Sequence, residues 1–218
     1  MMETLPLPVR LLLPAIVGYL CGAVPSGLWV GRVARGVDVR ALGSGNLGAT
    51  NVYRALGPTL GVLTLLLDVA KGALPVWFAP PLLLGSSDPW ALELGRVVTG
   101  VAAVAGHVWT FLAEFKGGKG VATTVGVLLA LSPAAFGVFV GVFVATVAIT
   151  RYVSLGSTLG AVAFVAALWG LRSAGAGGPT LALGAILAAV IMWRHRDNYR
   201  RLARGEERKF SLRGGGAA

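Results

Sequence analysis

GPTLGVLTLLLDVAKGALPVWFAP, residues 57–80, runs for 24 residues with only Asp68 and Lys71 charged. As a helix rising 1.5 Å per residue it would be about 36 Å long, enough to cross a hydrocarbon core of about 30 Å. Similar apolar runs lie near 7–30, 92–113, 119–131, 134–150, 153–172 and 179–194. The fold class read from this pattern is an all-α integral membrane bundle of seven transmembrane helices, N-terminus outside and C-terminus cytoplasmic. The runs at 119–131 and 134–150 are short, which suits half-spans or one hairpin around Ser132 and Pro133. A mean hydropathy of +0.76 and a charged fraction of 13% lie far from soluble composition. Residues 1–213 read as a single membrane domain and 214–218 as a disordered tail.

Lys and Arg number 19 against nine acids, a formal charge of +10, which in a soluble chain would point to nucleic acid. The distribution argues otherwise. With seven spans, the cytoplasmic side holds 15 of the cations, including Arg32, Arg35, Arg40, Arg54, Lys116, Lys119 and Arg151. The outer side holds Arg10, Arg96 and Arg172, as the positive-inside rule produces. The basicity is then mainly an orientation signal with attraction to anionic lipid head groups, and no nucleic-acid partner is expected. Cys21 stands alone in the first apolar run, so neither a disulfide nor a cysteine metal cluster is expected. The N-terminal Met-Met-Glu-Thr lacks the basic region of a cleaved signal peptide.

Polar, glycine-rich segments fall on the side assigned to the cytoplasm, whereas the outer connections at 85–89 and 173–179 carry little chemistry. The first reads GSGNLGATN, residues 43–51, followed by Arg54. It formally matches GxGxxG, but a dinucleotide fingerprint needs a preceding strand, and this loop joins two spans. What remains is an anion-binding composition: glycine N–H groups, neutral hydrogen bonds from Ser44, Asn46, Thr50 and Asn51, and the Arg54 charge. A flexible connector is the plainer alternative. The second, KGGKGVATT at 116–124, departs from a Walker A sequence, because Ala113 replaces the leading glycine and Gly120 stands where Ser or Thr should bind magnesium. Gly117, Gly118, Lys119 and Gly120 before a helix still suit an anion cradle, where a positive-inside anchor would explain only the lysines.

The third segment, RYVSLGS at 151–157, offers Ser154 as another hydroxyl or as a simple helix cap. The fourth runs HRDNYRRLARGEE from His195. On a continuing helix His195 and Asn198 share a face, and His195 can exchange a proton near neutral pH. The plainer reading is a solvated interfacial histidine. Asp68 and Lys71 sit three residues apart inside a span, so they either pair to brace the bundle or contact substrate. His107, beside Trp109 in sequence, reads as a polar helix or aromatic-belt residue.

Taken together, these segments resemble the bacterial acyl-phosphate:glycerol-3-phosphate acyltransferases, small integral-membrane enzymes that make lysophosphatidic acid. The resemblance rests on GSGNLGATNVYRALG from Gly43, DVAKG from Asp68, GGKGVAT from Gly117, RYVSLGS from Arg151 and HRDNYRRLARGEE from His195. It implies a seven-helix fold and transfer of the acyl group of acyl phosphate to the 1-hydroxyl of glycerol 3-phosphate, giving 1-acylglycerol 3-phosphate and phosphate in phospholipid biosynthesis. It also implies a multi-pass protein of the bacterial inner membrane, a cytoplasmic active site, no cofactor and no metal. The implied partners are the two substrates, the bilayer and the soluble enzyme that forms acyl phosphate. Carried onto this chain, the catalytic set is His195, Ser44, Lys119 and Asn198. Asn46, Thr50, Asn51, Arg54, Gly117, Gly118, Gly120, Thr123, Ser154 and Arg201 contact substrate, and Glu206 orders the basic tail.

The chemistry fits these residues independently. Both molecules to be held bear phosphates, which call for cations and N–H donors. Acyl phosphate is already an activated anhydride, so direct attack by a positioned hydroxyl is adequate. His195 is then either the base for that hydroxyl or the group that orients it while the donor phosphate takes the proton. The His–Asp dyad of acyl-CoA-dependent relatives is absent, since Leu112 and Arg200 stand five positions after the histidines. A transporter of organic phosphates would place its anion groups near the bilayer midplane, and a scaffold would not need the glycine loops.

Overall fold

The structure, a computed structural model, describes residues 5–84, 88–171, 177–207 and 209. The chain resolves into two compact units, Met1–Leu131 and Ser132–Ala218. Arg172, the turn glycine and serines at 85–87 and the tail at 214–218 lie outside the described residues.

In the first unit α1 (Leu7–Ala23) stops short of the uninterrupted 7–30 run expected from sequence, and α2 (Ser26–Arg35) follows after a break. The cause is Pro25, which cannot donate to the helix ladder and pushes Val24 out of the helical region, to ψ 113°. α2 ends on Gly36, whose left-handed φ of 66° lets its N–H reach the Arg32 carbonyl. A 3-10 turn at Val39–Ala41 starts on the Asp38 carboxylate, which accepts from the Arg40 N–H. α3 (Ala49–Leu56) and α4 (Pro58–Leu84) follow, separated by Gly57. α5 (Pro89–Val108) ends before the run it was read into, and Phe111–Ala113 form a 3-10 turn capped by Thr110. α6 (Val121–Leu131) has 11 residues, about 16 Å of helix, too short to cross alone.

Small residues let these helices touch backbone to backbone, the usual device where no hydrophobic force drives helices together in lipid. A Cβ on Gly22 of α1 would sit 2.0 Å from the Ala103 carbonyl oxygen of α5, and one on Gly126 of α6 would sit 2.0 Å from that of Val69 in α4.

The second unit holds α7 (Pro133–Thr150), α8 (Val153–Gly170), α9 (Gly178–Arg194) and α10 (Arg196–Ala203). Ser132 caps α7, accepting from the Ala135 N–H. Arg151, left-handed at φ 63°, reverses the chain into α8. α9 and α10 bend by 48° about His195, so the continuous helix expected there is broken. Among the described residues five helical stretches are long and apolar enough to cross a membrane, with α1 and α2 together (Leu7–Arg35) counting as one, or six if α9 and α10 are also taken together.

Candidate active site

The loop between α2 and α3 is ordered from within. Asn51 is 3% exposed, and its side chain joins both ends of the loop. Its Oδ1 accepts from the Ser44 N–H at 2.8 Å and the Ser44 hydroxyl at 3.2 Å, while its Nδ2 donates to the carbonyls of Val39 at 3.0 Å and Leu42 at 3.1 Å. Gly43 must lack a side chain, because a Cβ there would meet Asn51 Oδ1 at 2.4 Å and φ is +56°. Asn46 Oδ1 takes the Gly48 N–H at 2.8 Å, an Asx turn. Leu47, apolar in a polar segment, is buried with Leu28, Val39, Val52 and Ala113 and pins the loop to the unit.

This arrangement bears on two readings. Asn51 organises the loop, its amide being occupied by the loop itself. The glycine amides are mostly occupied too: the N–H of Gly45 donates to Leu42, that of Gly117 to Val108 and that of Gly118 to His107. The groups left to meet an anion are side chains. Ser44, Thr50, Arg54, Lys116 and Lys119 are all exposed. To them α6 adds its N-terminal N–H groups, which have no intrahelical partner. Gly120 is buried at φ +78° and turns the chain into α6. Thr123 is fully buried against α4, away from the exposed set.

The two loops of this unit meet. Ala113 packs in the same cluster as Leu47, and Arg40 Nη1 lies 3.8 Å from Glu114 Oε1. The Thr110 hydroxyl donates to the Ala23 carbonyl at the α1–α2 break. Arg40 also forks onto Asp38, at 2.8 Å from Nη2 to Oδ2, and the Arg40 hydrogen bonds hold the Asp38 carboxyl well below the usual carboxylate range. Glu114 and Phe115, both left-handed at φ 58° and 59°, form a strained corner before the 116–120 loop.

In the second unit one carboxylate gathers the polar residues. Glu207 Oε1 accepts from the Ser154 hydroxyl at 3.0 Å and from Asn198 Nδ2 at 2.8 Å, while its Oε2 accepts from Arg201 Nε at 2.9 Å. These donors, Asn198 first, hold the Glu207 carboxyl below its ordinary range. The Tyr199 and Thr158 hydroxyls lie 2.6 Å apart and tie α10 to α8. His195, half-buried at the α9–α10 break, sets Nδ1 2.8 Å from the Ile191 carbonyl. A carbonyl only accepts, so Nδ1 carries the hydrogen in that contact and Nε2 of the neutral ring keeps its lone pair.

The glycerol-3-phosphate acyltransferase family model matches residues 12–205. The chain belongs to the glycerol-3-phosphate acyltransferase family. It is 47% identical over 197 residues to a glycerol-3-phosphate acyltransferase of Geobacter sulfurreducens, covering 89% of this chain and 94% of that protein. It is 46% identical over 196 residues to one of Myxococcus xanthus, covering 89% and 97%. Among solved structures it resembles PlsY, an integral membrane glycerol 3-phosphate acyltransferase, in its glycerol 3-phosphate form. The TM-score is 0.70 at 37% identity, covering 92% of this chain and 96% of that one. A second structure of PlsY, in its lysophosphatidic acid form, gives 0.68 at 36% identity, covering 92% and 95%.

In this acyltransferase the acid that orders the basic segment is Glu207, next to the Glu206 singled out from sequence. Glu206 is exposed and lines the same small cavity as Asn198, Arg201 and Glu207. Ser154 does not cap α8, whose N-cap is Tyr152; its hydroxyl turns to Glu207. The signal that could have found Glu207 is the capacity of a carboxylate to accept several hydrogen bonds from the Arg, Asn and Ser residues around it.

Proposed function

We propose that the chain transfers the acyl group of acyl phosphate to the 1-hydroxyl of glycerol 3-phosphate, releasing lysophosphatidic acid and phosphate at the cytoplasmic face of a bacterial inner membrane. Residues 1–213 serve as one membrane acyltransferase domain, N-terminus outside. The soluble enzyme that forms acyl phosphate delivers it to the same face. The observation that carries the reading is the set of hydroxyls and cations, Ser44, Thr50, Arg54 and Lys119, left exposed on loops whose own backbone groups are satisfied internally. Such loops hold their charges in place before substrate arrives, which is what a reaction between two phosphate-bearing molecules gains most from. The forms in which PlsY has been solved, with glycerol 3-phosphate and with lysophosphatidic acid, fit the acceptor and the product.

In the step itself the C1 hydroxyl oxygen attacks the acyl carbonyl carbon, the bond from that carbon to the phosphate oxygen breaks, and phosphate leaves with the electron pair. The hydroxyl proton passes to His195 Nε2, the nitrogen left free by the Ile191 contact. Lys119 and Arg54 neutralise phosphate charge, Ser44 hydrogen-bonds it, and Asn198 and Arg201, fixed by Glu207, orient the groups beside His195. No acyl-enzyme forms, because the anhydride is already activated. The acyl chain lies in an apolar groove of about 730 Å³ lined by Cys21, Trp29, Leu67, Leu74 and Phe78, a volume usual for ligand sites.

The test gives the purified full chain labelled glycerol 3-phosphate with acyl phosphate, acyl-CoA or acyl carrier protein in turn. Lysophosphatidic acid should form with the first alone; product from acyl-CoA and none from acyl phosphate would overturn the donor assignment.

A further inference from the structure

Directly beneath the 116–120 loop the chain buries three ionisable side chains that the transfer step does not use. Asp68 and Lys71, 2% and 8% exposed, approach to 2.7 Å between Oδ1 and Nζ. The contact is a buried ion pair at hydrogen-bonding distance. His107, 6% exposed, brings Nδ1 to 3.7 Å from the same oxygen and also leaves that nitrogen without a hydrogen-bond partner. Burying such groups among membrane helices is unfavourable, and simple packing would be met by apolar residues of the same volume.

Two contacts tie the cluster to the loop. The Gly118 N–H donates to the His107 carbonyl at 3.2 Å, and a Cβ on Gly118 would lie 2.2 Å from His107 Nε2. Gly118 is not in the left-handed region, so what position 118 requires is the absence of a side chain over the imidazole. Lys71 Nζ in turn donates to the Val24 carbonyl at 2.7 Å, at the α1–α2 break. Leu47 of the first loop, Thr110 and Gly118 line the same closely packed spot.

We infer that Asp68, Lys71 and His107 are positioning residues: they form a charged, rigid floor that sets the height of the loop carrying Lys119, and through it the grip on one substrate phosphate. Lys71 fixes Asp68, Asp68 faces the imidazole, and the imidazole supports Gly118. The inference rests on the acyltransferase reading given above.

The experiment uses the purified full chain in lipid nanodiscs, as wild type, Gly118→Ala, Gly118→Ala with His107→Ala, and Asp68→Asn with Lys71→Met. Amide hydrogen exchange over residues 116–120 and initial rates against each phosphate substrate are read for every variant. Gly118→Ala should speed exchange at least tenfold and raise KM for one phosphate substrate at least tenfold, with kcat within threefold of wild type. Adding His107→Ala removes the collision and should recover at least half of each effect on a logarithmic scale, or restore folding if Gly118→Ala alone fails to fold. The paired neutral variant, which leaves no buried charge unpaired, should keep the wild-type melting temperature within a few degrees yet speed loop exchange at least fivefold. Wild-type exchange in Gly118→Ala or in the paired variant, or no recovery in the double variant, would overturn the inference. The exchange measurement decides it even if wild type shows no acyl transfer, a result that would instead sink the functional reading.

Discussion

Replacing Asn51 with alanine separates its role as loop organiser from a role in touching substrate. The side chain makes four hydrogen bonds, at 2.8, 3.2, 3.0 and 3.1 Å. Each is worth about 0.5–1.5 kcal/mol net, giving an additive ceiling of about 6 kcal/mol. The Ser44 partners are exposed and can turn to water, whereas the buried Val39 carbonyl loses one of its two donors and keeps only the Leu42 N–H. The cost should therefore fall near 2–3 kcal/mol, confined to opening of the loop. At 1.4 kcal/mol per factor of ten, hydrogen exchange of residues 39–45 should accelerate roughly 30- to 150-fold, while exchange in α4 and α5 stays as in wild type. Activity should fall in step with that opening. If Asn51→Ala abolishes turnover with loop exchange changed less than threefold, the residue touches substrate and the reasoning is wrong.

Removing the acid that gathers the second cluster, Glu207→Ala, should release Ser154, Asn198 and Arg201 together, lower kcat/KM at least tenfold and expose α10 to trypsin; unchanged cleavage would argue against the cluster. Because the folded state holds the Glu207 carboxyl below its ordinary range, its contribution is complete above that range and is lost as pH falls through the lowered value. Tryptic cleavage of α10 in wild type should accordingly rise on acidification below the ordinary glutamate range, and be pH-independent in Glu207→Gln. Gly126→Ala puts a methyl 2.0 Å from the Val69 carbonyl oxygen, so thermal unfolding in detergent should report a loss of about 1–3 kcal/mol; wild-type stability would mean α4 and α6 do not pack as described.

The spans were legible wherever one unbroken apolar run met one helix, as in α4, because hydropathy alone decides that case. α1–α2 was not, since the 7–30 run stays apolar across Val24 and Pro25 and only the proline backbone restriction breaks it. The 43–51 and 116–120 loops were legible as polar glycine segments, but their internal bonding was not. Nothing in GSGNLGATN says that Asn51 bonds back to Ser44 and Val39, so an organiser reads the same as a ligand. The glycines of KGGKG suggested open amides, yet Gly118 is there because His107 lies against it, a contact between segments that spacing does not reveal. Asp68 and Lys71 stood out as costly in a span, whereas His107 joined them only through packing of α4 against α5. Glu207 and Glu206 are indistinguishable in sequence, and the course of the chain after α10 selects the first.

The most direct test of the account is the initial rate at which the purified chain forms lysophosphatidic acid from acyl phosphate and labelled glycerol 3-phosphate, with phosphate counted alongside, for wild type, Lys119→Ala and His195→Ala. Wild type should release one phosphate per ester, and each variant, still folded, should lose at least 99% of that rate, of the order expected when a positioned acid, base or charge is removed. No ester above background from wild type, or wild-type rates from both variants, would contradict it.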